Sequence, residues 1–389
     1  MRVLLACSLG GSGHLAPVVD VAGAVRRLGH DAVVLVPPSL VPEIEREGLS
    51  YEVGGEPPRA VIDETWERVR AGPPEAVAGL IDRELFADHC TQAMLPAAGA
   101  VCDRRRPALV IRESCEYASA IVAAKAGIAQ AQVAISQARI EWGVLEMVSA
   151  TIERFGPGVA SAIARAPYLS AFPASLDPSP WPDSRRFRQP APADRGRLTN
   201  WWPGDDRPLV YLTFGSVIGH LPEAVAVFRS ALDAVAELPA RVLLTIGRAT
   251  DAAGLGEIPA NTHVESWVPQ HEVLDHAAVV ACHGGSGTVF GALAAGVPLV
   301  ICPLFADQSA NGRVIESTHA GRVVAGRSLA PGALRGLGPE DVPPLREAIQ
   351  RVLDDPSYRQ SATRIAAELA STATLDTVVA SLLSQASEG

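Results

Sequence analysis

A loop in the second half of the chain carries residues that bind anions. It follows the apolar run Val279–Cys282 and consists of His283, Gly284, Gly285, Ser286, Gly287 and Thr288. A glycine loop between a strand and a helix aims main-chain N–H groups and the positive end of the helix dipole at an anion. Because two hydroxyls and an imidazole share this turn, the loop predicts a phosphate or diphosphate site.

A carboxylate and an amide follow the next apolar run. Asp307 and Gln308 come shortly after Val297–Cys302. They are therefore expected near the carboxyl end of a strand, where open α/β sheets bind their ligands. An anion site beside such a pair predicts a nucleotide that carries a polyhydroxylated group.

His14 is the residue of the N-terminal half that is best placed for proton transfer. It stands in the glycine turn between the apolar run Val3–Cys7 and a helix whose first turn holds Pro17. The positive end of that helix favours a neutral imidazole, which is the form that a general base requires. A solvated surface histidine is the plain alternative.

A base histidine is commonly oriented by a carboxylate on its other nitrogen. Glu113 closes the segment that contains the apolar run Leu109–Ile111, and it is the first candidate. Glu116 lies three residues further on and is a possible substitute. An exposed loop acid is the ordinary interpretation of Glu113. The sequence thus predicts a His14–Glu113 pair and leaves Glu116 open.

Two further segments of the second half are candidates for nucleotide contacts. Ser216 lies in the turn that opens this half, where N–H and hydroxyl groups would reach a phosphate. Taken alone, it is an ordinary turn between a strand and a helix. Trp267 precedes Pro269 and offers a flat face to a nucleobase, whereas a buried packing tryptophan is the common alternative.

The N-terminal turn also fits the G-x-G-x-x-A pattern of dinucleotide sites, through Gly11, Gly13 and Ala16. The acidic residue expected at the end of the second strand is missing, because Val36 is followed by Pro37. A tight turn that needs glycine explains the pattern without a cofactor. A nicotinamide or flavin site is therefore a distant alternative.

Composition and missing motifs argue against several classes of protein. The net charge of −10 argues against nucleic acid as a partner. The sequence holds no Walker-type loop, no Asp-x-Asp triplet and no zinc-spaced His/Cys cluster, so we expect no metal. Its six scattered cysteines are expected to be buried free thiols. Without a signal peptide or a membrane-length apolar run, a cytoplasmic protein with no membrane contact is expected.

Alternating strand and helix patterns predict two α/β domains with parallel sheets. The 389 residues are enough for about two domains. The proline-rich segment at about 173–207 is the expected linker. We expect domains over residues 1–200 and 208–370, followed by a C-terminal helical segment over 371–389.

Taken together, the motifs resemble those of the GT-B, family 1 glycosyltransferases. The resemblance rests on Trp267–Gln270, His283–Thr288, Asp307–Asn311 and Gly13-His14, and it is closest to the bacterial natural-product branch. It implies two Rossmann-like domains with parallel sheets facing across a cleft. The first would bind the acceptor and the second the nucleotide-sugar, with the C-terminal helix crossing back to the first.

The resemblance also implies a role for each candidate residue. His14 would deprotonate the acceptor, with Glu113 as its partner, for an inverting single displacement. Many family members carry Asp where this chain has Glu113. The implied donor contacts are Ser216, Trp267, Val268, His283, Gly285, Ser286, Gly287 and Thr288 for the nucleotide and diphosphate, and Asp307 and Gln308 for the sugar.

The implied reaction moves a deoxysugar from a dTDP-sugar or UDP-sugar to a hydroxyl of a hydrophobic natural-product aglycone. Such a hexosyltransferase would serve antibiotic biosynthesis and need no cofactor. The acceptor, the choice between O-, C- and N-transfer, and a homodimer are left open. A catalytically silent GT-B-like auxiliary protein is the alternative, and a nucleotide-dependent oxidoreductase is a more distant one.

Overall fold

The computed structural model describes residues 1–73, 76–190, 198–215, 218–220, 224–324 and 336–388. The chain forms two compact units. The first holds Met1–Pro190 and the C-terminal segment from Thr372, and the second holds the described residues between 198 and 371. Each unit contains one sheet with parallel strand pairs. The predicted α/β class with two Rossmann-like units is therefore confirmed.

The first unit is built on a seven-stranded sheet in the order β3-β2-β1-β4-β5-β6-β7. Its strands are β1 (Arg2–Ala6), β2 (Asp31–Val36), β3 (Tyr51–Val53), β4 (Leu109–Glu113), β5 (Ala129–Val133), β6 (Tyr168–Ser170) and β7 (Ser184–Arg186). The strand order reverses between β1 and β4. Ligands of open parallel sheets bind at the carboxyl ends of the strands at such a switch point.

Helices follow the strands of this sheet. They are α1 (Ser12–Arg27), α2 (Val41–Arg46), α3 (Arg59–Ala71), a π-helical segment (Gly79–Cys90), α4 (Thr91–Arg105), α5 (Ala118–Ala126), α6 (Ala138–Glu153) and α7 (Val159–Arg165). Side chains of β1 alternate between two apolar cores, with Val3 and Leu5 in one and Leu4 in the other. Both faces of the central strands are therefore buried, as their unbroken apolar runs predict.

The second unit repeats the same order on a six-stranded sheet, β10-β9-β8-β11-β12-β13. Its strands are β8 (Leu209–Thr213), β9 (Arg241–Thr245), β10 (Thr262–Glu265), β11 (Ala277–Cys282), β12 (Leu299–Ile301) and β13 (Gly321–Val323). Its helices are α8 (Ala224–Val235), α9 (Gln270–Leu274), α10 (Ser286–Ala294), α11 (Gln308–Ser317), α12 (Val342–Asp354) and α13 (Pro356–Ser371). The switch point here lies between β8 and β11.

The last helix, α14 (Leu375–Glu388), belongs to the first unit. Leu375, Val379 and Leu383 join the apolar core that contains β1 and α1. The guanidinium of Arg27 on α1 donates to both carboxylate oxygens of Asp376, and the shortest contact is 2.5 Å. The chain thus returns to its first unit after the second is complete.

Two details differ from the expected elements. Strand β7 lies inside the proline-rich segment expected to be a linker, so the first unit continues to Pro190. The sequence over 139–164 predicts one continuous helix, but the structure has α6 and α7 there, because Gly156, Pro157 and Gly158 interrupt the helix. Among the described helices, none combines the length and the hydropathy that a membrane span requires.

Candidate active site

The imidazole of His14 sits on a glycine turn at the carboxyl end of β1. Gly10 and Gly11 both have positive φ angles, 144° and 71°. A Cβ atom on Gly10 would lie 2.3 Å from Cδ2 of His14, so a side chain there would collide with the ring. Glycine is therefore required both by the backbone conformation and by the close approach of the imidazole.

Glu113 ends β4, the strand beside β1, and its side chain is 0% exposed. Its Oε2 atom lies 3.4 Å from Nδ1 of His14. The main-chain N–H groups of Ser8 and Cys115 donate to Oε1 at 3.1 Å and to Oε2 at 2.7 Å. Such donors stabilise the ionised carboxylate. The structure thus brings the predicted pair together, and the exposed-acid interpretation of Glu113 is wrong because the residue is buried.

Glu116, the substitute partner, is occupied elsewhere. Its carboxylate accepts hydrogen bonds from the main-chain N–H of Ser119, at 3.0 Å, and from the Ser119 hydroxyl. Burial raises the pKa of this carboxyl above its usual range. Glu113 and not Glu116 therefore lies against His14.

The predicted anion loop of the second unit lies at the switch point between β8 and β11. His283 directly follows β11, and its ring packs close to two glycines. A Cβ atom would lie 2.8 Å from Nε2 of His283 if placed on Gly215, and 2.4 Å away if placed on Gly285. Burial lowers the pKa of His283 to about 4. At neutral pH this residue is an uncharged hydrogen-bonding group and supplies no positive charge to the loop.

Helix α10 begins at Ser286, so the loop does open a helix as predicted. The Ser286 hydroxyl donates to Oδ2 of Asp307 at 2.9 Å. Nδ2 of Asn311 donates to the Gly284 carbonyl at 2.9 Å and to the Ser286 hydroxyl at 3.1 Å. This network joins the loop to the start of α11 (Gln308–Ser317), and it brings Asp307 to the anion loop.

Gln308 and Thr288 are both buried, although each is predicted to contact the donor. Gln308 is 3% exposed, and its side-chain oxygen accepts the N–H groups of Leu304, at 2.8 Å, and Phe305, at 3.0 Å. The Thr288 hydroxyl donates to the side chain of Gln270 at 3.4 Å. Both residues stabilise the walls of the loop, and their donor contacts stay predictions.

Trp267 is an exposed ring at the end of the second sheet. Its side chain is 54% exposed, which excludes the interpretation as a buried packing tryptophan. The guanidinium of Arg248 lies over the ring, 4.8 Å from its centroid. Val268 beside it is half-buried. Ser216, the remaining predicted contact, lies outside the described residues.

Known proteins that resemble this chain are glycosyltransferases. A family model described as erythromycin biosynthesis protein CIII-like, C-terminal domain, matches residues 229–384. Over 95% of its length the chain is 29% identical to the L-demethylnoviosyl transferase of Streptomyces niveus, of which it covers 97%. Other relatives are 31 to 33% identical over 43 to 48% of this chain, which spans 34 to 38% of their length.

Solved structures match along the whole chain. The glycosyltransferase SnogD from Streptomyces nogalater has a TM-score of 0.76 at 25% identity, with 99% of each chain covered. The motifs, the sequence relatives and the fold together support a GT-B, family 1 glycosyltransferase of the natural-product branch. The glycosyltransferase VinC, solved in complex with dTDP, matches in fold with a TM-score of 0.75 at 22% identity over 100% of both chains.

The resemblance in the motifs is thereby confirmed, and the GT-B fold with it. This glycosyltransferase is an enzyme of the hexosyltransferase class, as its named relatives are. Its general-base candidate and its donor loop each lie at the switch point of one sheet. That placement follows from the reversal of strand order, which opens a crevice between the two loops leaving the adjacent strands.

Residues that the motifs did not reveal complete the surroundings of His14. The ring of Phe86 stacks on the imidazole, with the ring centroids 5.3 Å apart. Asp82 lies four residues earlier on the same π-helical segment; burial raises the pKa of its carboxyl to about 6, although the attraction of His14 opposes this shift. Neither residue stands in a recognisable motif, and the π-helical geometry of their segment leaves no periodic signal in the sequence.

A buried arginine stabilises the turn after β4 of the glycosyltransferase. Arg112 is 1% exposed and donates to the main-chain carbonyls of Glu113, at 2.9 Å, and Ser114, at 2.8 Å. It also donates to the side chain of Gln132 at 2.7 Å. Because buried charges are costly without partners, a charged residue inside the strand pattern Leu109–Glu113 is the signal that could have identified it.

Proposed function

We propose that this glycosyltransferase moves a deoxysugar from a dTDP-sugar to a hydroxyl of a hydrophobic natural-product aglycone, with inversion at the anomeric carbon. The observation that carries the proposal is the buried Glu113 carboxylate 3.4 Å from Nδ1 of His14. With the Nδ1 proton directed at Glu113, Nε2 of His14 takes the acceptor proton. Glu113 stabilises the imidazolium that forms.

The bond changes follow from that assignment. The acceptor oxygen, losing its proton to His14, forms a bond to the anomeric carbon. The bond from that carbon to the diphosphate oxygen breaks, and the nucleoside diphosphate leaves with the electron pair. A single displacement of this kind inverts the anomeric configuration.

The donor site is proposed at the loop that opens α10. Main-chain N–H groups and the helix dipole favour an anion there, and Ser286 and Asp307 add polar groups. A neutral His283 would add a hydrogen bond. We propose that the diphosphate binds without a metal, because the sequence has no Asp-x-Asp carboxylates to hold one beside it. A UDP-sugar is the alternative donor.

The acceptor is proposed to be hydrophobic because His14 lies against an apolar core. Phe86 stacks on His14. Leu9, Ile62 and Ile81 are only partly buried and pack against the same apolar core. Partly exposed apolar groups beside a polar reacting centre suit an aglycone with few charges. Cytoplasmic location and a homodimer stay predictions.

The test begins with the donor. The melting temperature is measured with dTDP, UDP, NAD and FAD, each with and without EDTA. We expect dTDP or UDP to raise the melting temperature, and we expect EDTA to leave this increase unchanged. Enzyme given dTDP-sugars and hydroxylated aglycones is then expected to form glycosides, detected by mass. Stabilisation by NAD or FAD alone would contradict the donor, and binding without any transfer would favour the silent auxiliary protein.

A further inference from the structure

Three side chains of different metal-ligating types lie together around the general-base candidate of the first unit. One ligand atom each from His14, Glu113 and Cys115 lies within 4.8 Å of the other two. The main-chain N–H of Cys115 donates to Oε2 of Glu113 at 2.7 Å, so the turn after β4 holds both residues. Cys115 and His14 are half-buried and Glu113 is buried.

The spacing suits a tetrahedral ion. With metal–ligand bonds of about 2.0 Å to nitrogen and oxygen, tetrahedral Zn²⁺ separates those two ligand atoms by about 3.3 Å. Nδ1 of His14 and Oε2 of Glu113 are 3.4 Å apart. The thiol would complete a trigonal face after a small rotation of its side chain, and a fourth position would be left for water.

The donor types select the kind of metal. Thiolate, imidazole and carboxylate together suit Zn²⁺ and its close analogue Co²⁺, whereas Mg²⁺ and Ca²⁺ prefer sites made of oxygen atoms. The two negative ligands, Glu113 and the Cys115 thiolate, would neutralise the charge of a divalent cation. Binding would release the thiol proton to solvent.

We propose that His14, Glu113 and Cys115 form an inhibitory binding site for Zn²⁺. An ion on Nδ1 of His14 takes the place of the proton directed at Glu113. The neutral ring then carries its proton on Nε2, where it has no lone pair to accept a proton from a hydroxyl. This consequence rests on the proposed role of His14 as the base, whereas the binding itself does not.

Binding is tested on metal-stripped protein without any substrate. Co²⁺ is titrated while the thiolate-to-cobalt charge-transfer absorption is recorded, and Zn²⁺ is titrated by calorimetry. The Cys115→Ala variant is compared with Cys102→Ala, which removes a buried thiol of the same unit outside the cluster. Wild type and Cys102→Ala are expected to bind one ion and show the absorption. Cys115→Ala is expected to lose it and to bind Zn²⁺ more than about tenfold more weakly.

Inhibition is measured as the ratio of transfer rates with Zn²⁺ and with EDTA in each protein, so that changes in basal rate cancel. Cys115→Ala is expected to need at least tenfold more Zn²⁺ than Cys102→Ala for the same ratio. The proposal is overturned by an absorption that survives in Cys115→Ala, by wild type that binds no stoichiometric ion, or by binding that leaves transfer unchanged. If no donor is ever turned over, the proposed function fails, and the cobalt absorption still decides the site.

Discussion

At the scale of single residues, the main chain orients the carboxylate that serves His14. The N–H groups of Ser8 and Cys115 hold the two oxygens of Glu113, and burial removes competing water. This explains how Glu can stand where many family members have Asp. Glu113 occupies the last position of β4, from which the longer side chain still brings Oε2 within 3.4 Å of the ring.

Replacing Glu113 by Gln is expected to lower kcat. The amide oxygen can still accept the imidazole N–H, but it lacks the charge that stabilises imidazolium. One main-chain N–H also loses its acceptor, which should cost about 1 to 3 kcal/mol of stability. Steady-state kinetics and thermal melts measure the two effects.

Glu116→Gln is the matched control, because it makes the same change in the same buried turn. Its carboxylate bonds to Ser119 and not to His14, so its kcat is expected to stay near that of the wild type. Equal losses of kcat in Glu113→Gln and Glu116→Gln would contradict the assignment of Glu113.

Gly10→Ala is expected to reduce kcat by displacing the imidazole of His14. The new methyl group would lie 2.3 Å from the ring, at a φ of 144° that alanine disfavours. Gly29→Ala is the control, since Gly29 also has a positive φ, 79°, but its added Cβ would meet no atom within 4 Å. Both variants should melt earlier, and only Gly10→Ala should lose turnover in kinetic assays. A normal kcat in Gly10→Ala would show that the turn does not position the base.

At the scale of elements, the candidate reacting groups lie on the loops that follow the strands. Some buried acidic side chains stabilise these loops through hydrogen bonds. Glu141 on α6 is 6% exposed, and its Oε1 accepts the N–H groups of Ile135, at 2.8 Å, and Ser136, at 2.7 Å. These residues form the loop after β5, the neighbour of β4. Burial raises the pKa of Glu141 to about 7.

This shift predicts a pH dependence of stability. The folded protein keeps the Glu141 proton up to about pH 7, whereas the unfolded chain releases it near its ordinary pKa of 4.5. The stability that the protonated Glu141 side chain contributes is therefore fully present below pH 4.5 and is lost as the pH rises through 7. Glu141→Gln mimics the protonated side chain. Relative to wild type, the variant should gain stability between pH 5 and 7 at up to about 1.4 kcal/mol per pH unit.

Denaturant unfolding of the wild type and of Glu141→Gln across this pH range gives the difference between their free energies of unfolding. The contributions of other titrating groups cancel in this difference. A difference that does not change with pH would show that Glu141 is ionised in the folded protein.

At the scale of the whole molecule, several strands were predictable because their sequences form a continuous run next to turn residues. The sequence predicts strands over 209–213, 262–265 and 299–301, and β8, β10 and β12 have these bounds, because each is a buried or half-buried run next to a turn. The missed strands β3, β6, β7 and β13 also have three residues each, but none of them lies in an apolar run as long as Val297–Cys302, which contains β12.

The candidate site was predictable to a similar degree. His14, Glu113 and the anion loop follow strands and could be placed by the topology of a parallel sheet. Phe86 and Asp82 could not, because their contact with His14 depends on how a long, irregular connection folds back. The alternation of strands and helices in the sequence therefore indicates the reacting groups. The side chains that surround these groups depend on tertiary packing, which the sequence pattern does not show.

The most direct test of the account is kcat for His14→Ala with a dTDP-sugar and a hydroxylated aglycone that the wild type accepts. Removing the base is expected to lower kcat by about 10²- to 10⁴-fold, while the dissociation constant for dTDP, measured by calorimetry, stays unchanged. A His14→Ala variant that turns over at the wild-type rate would contradict the general-base assignment.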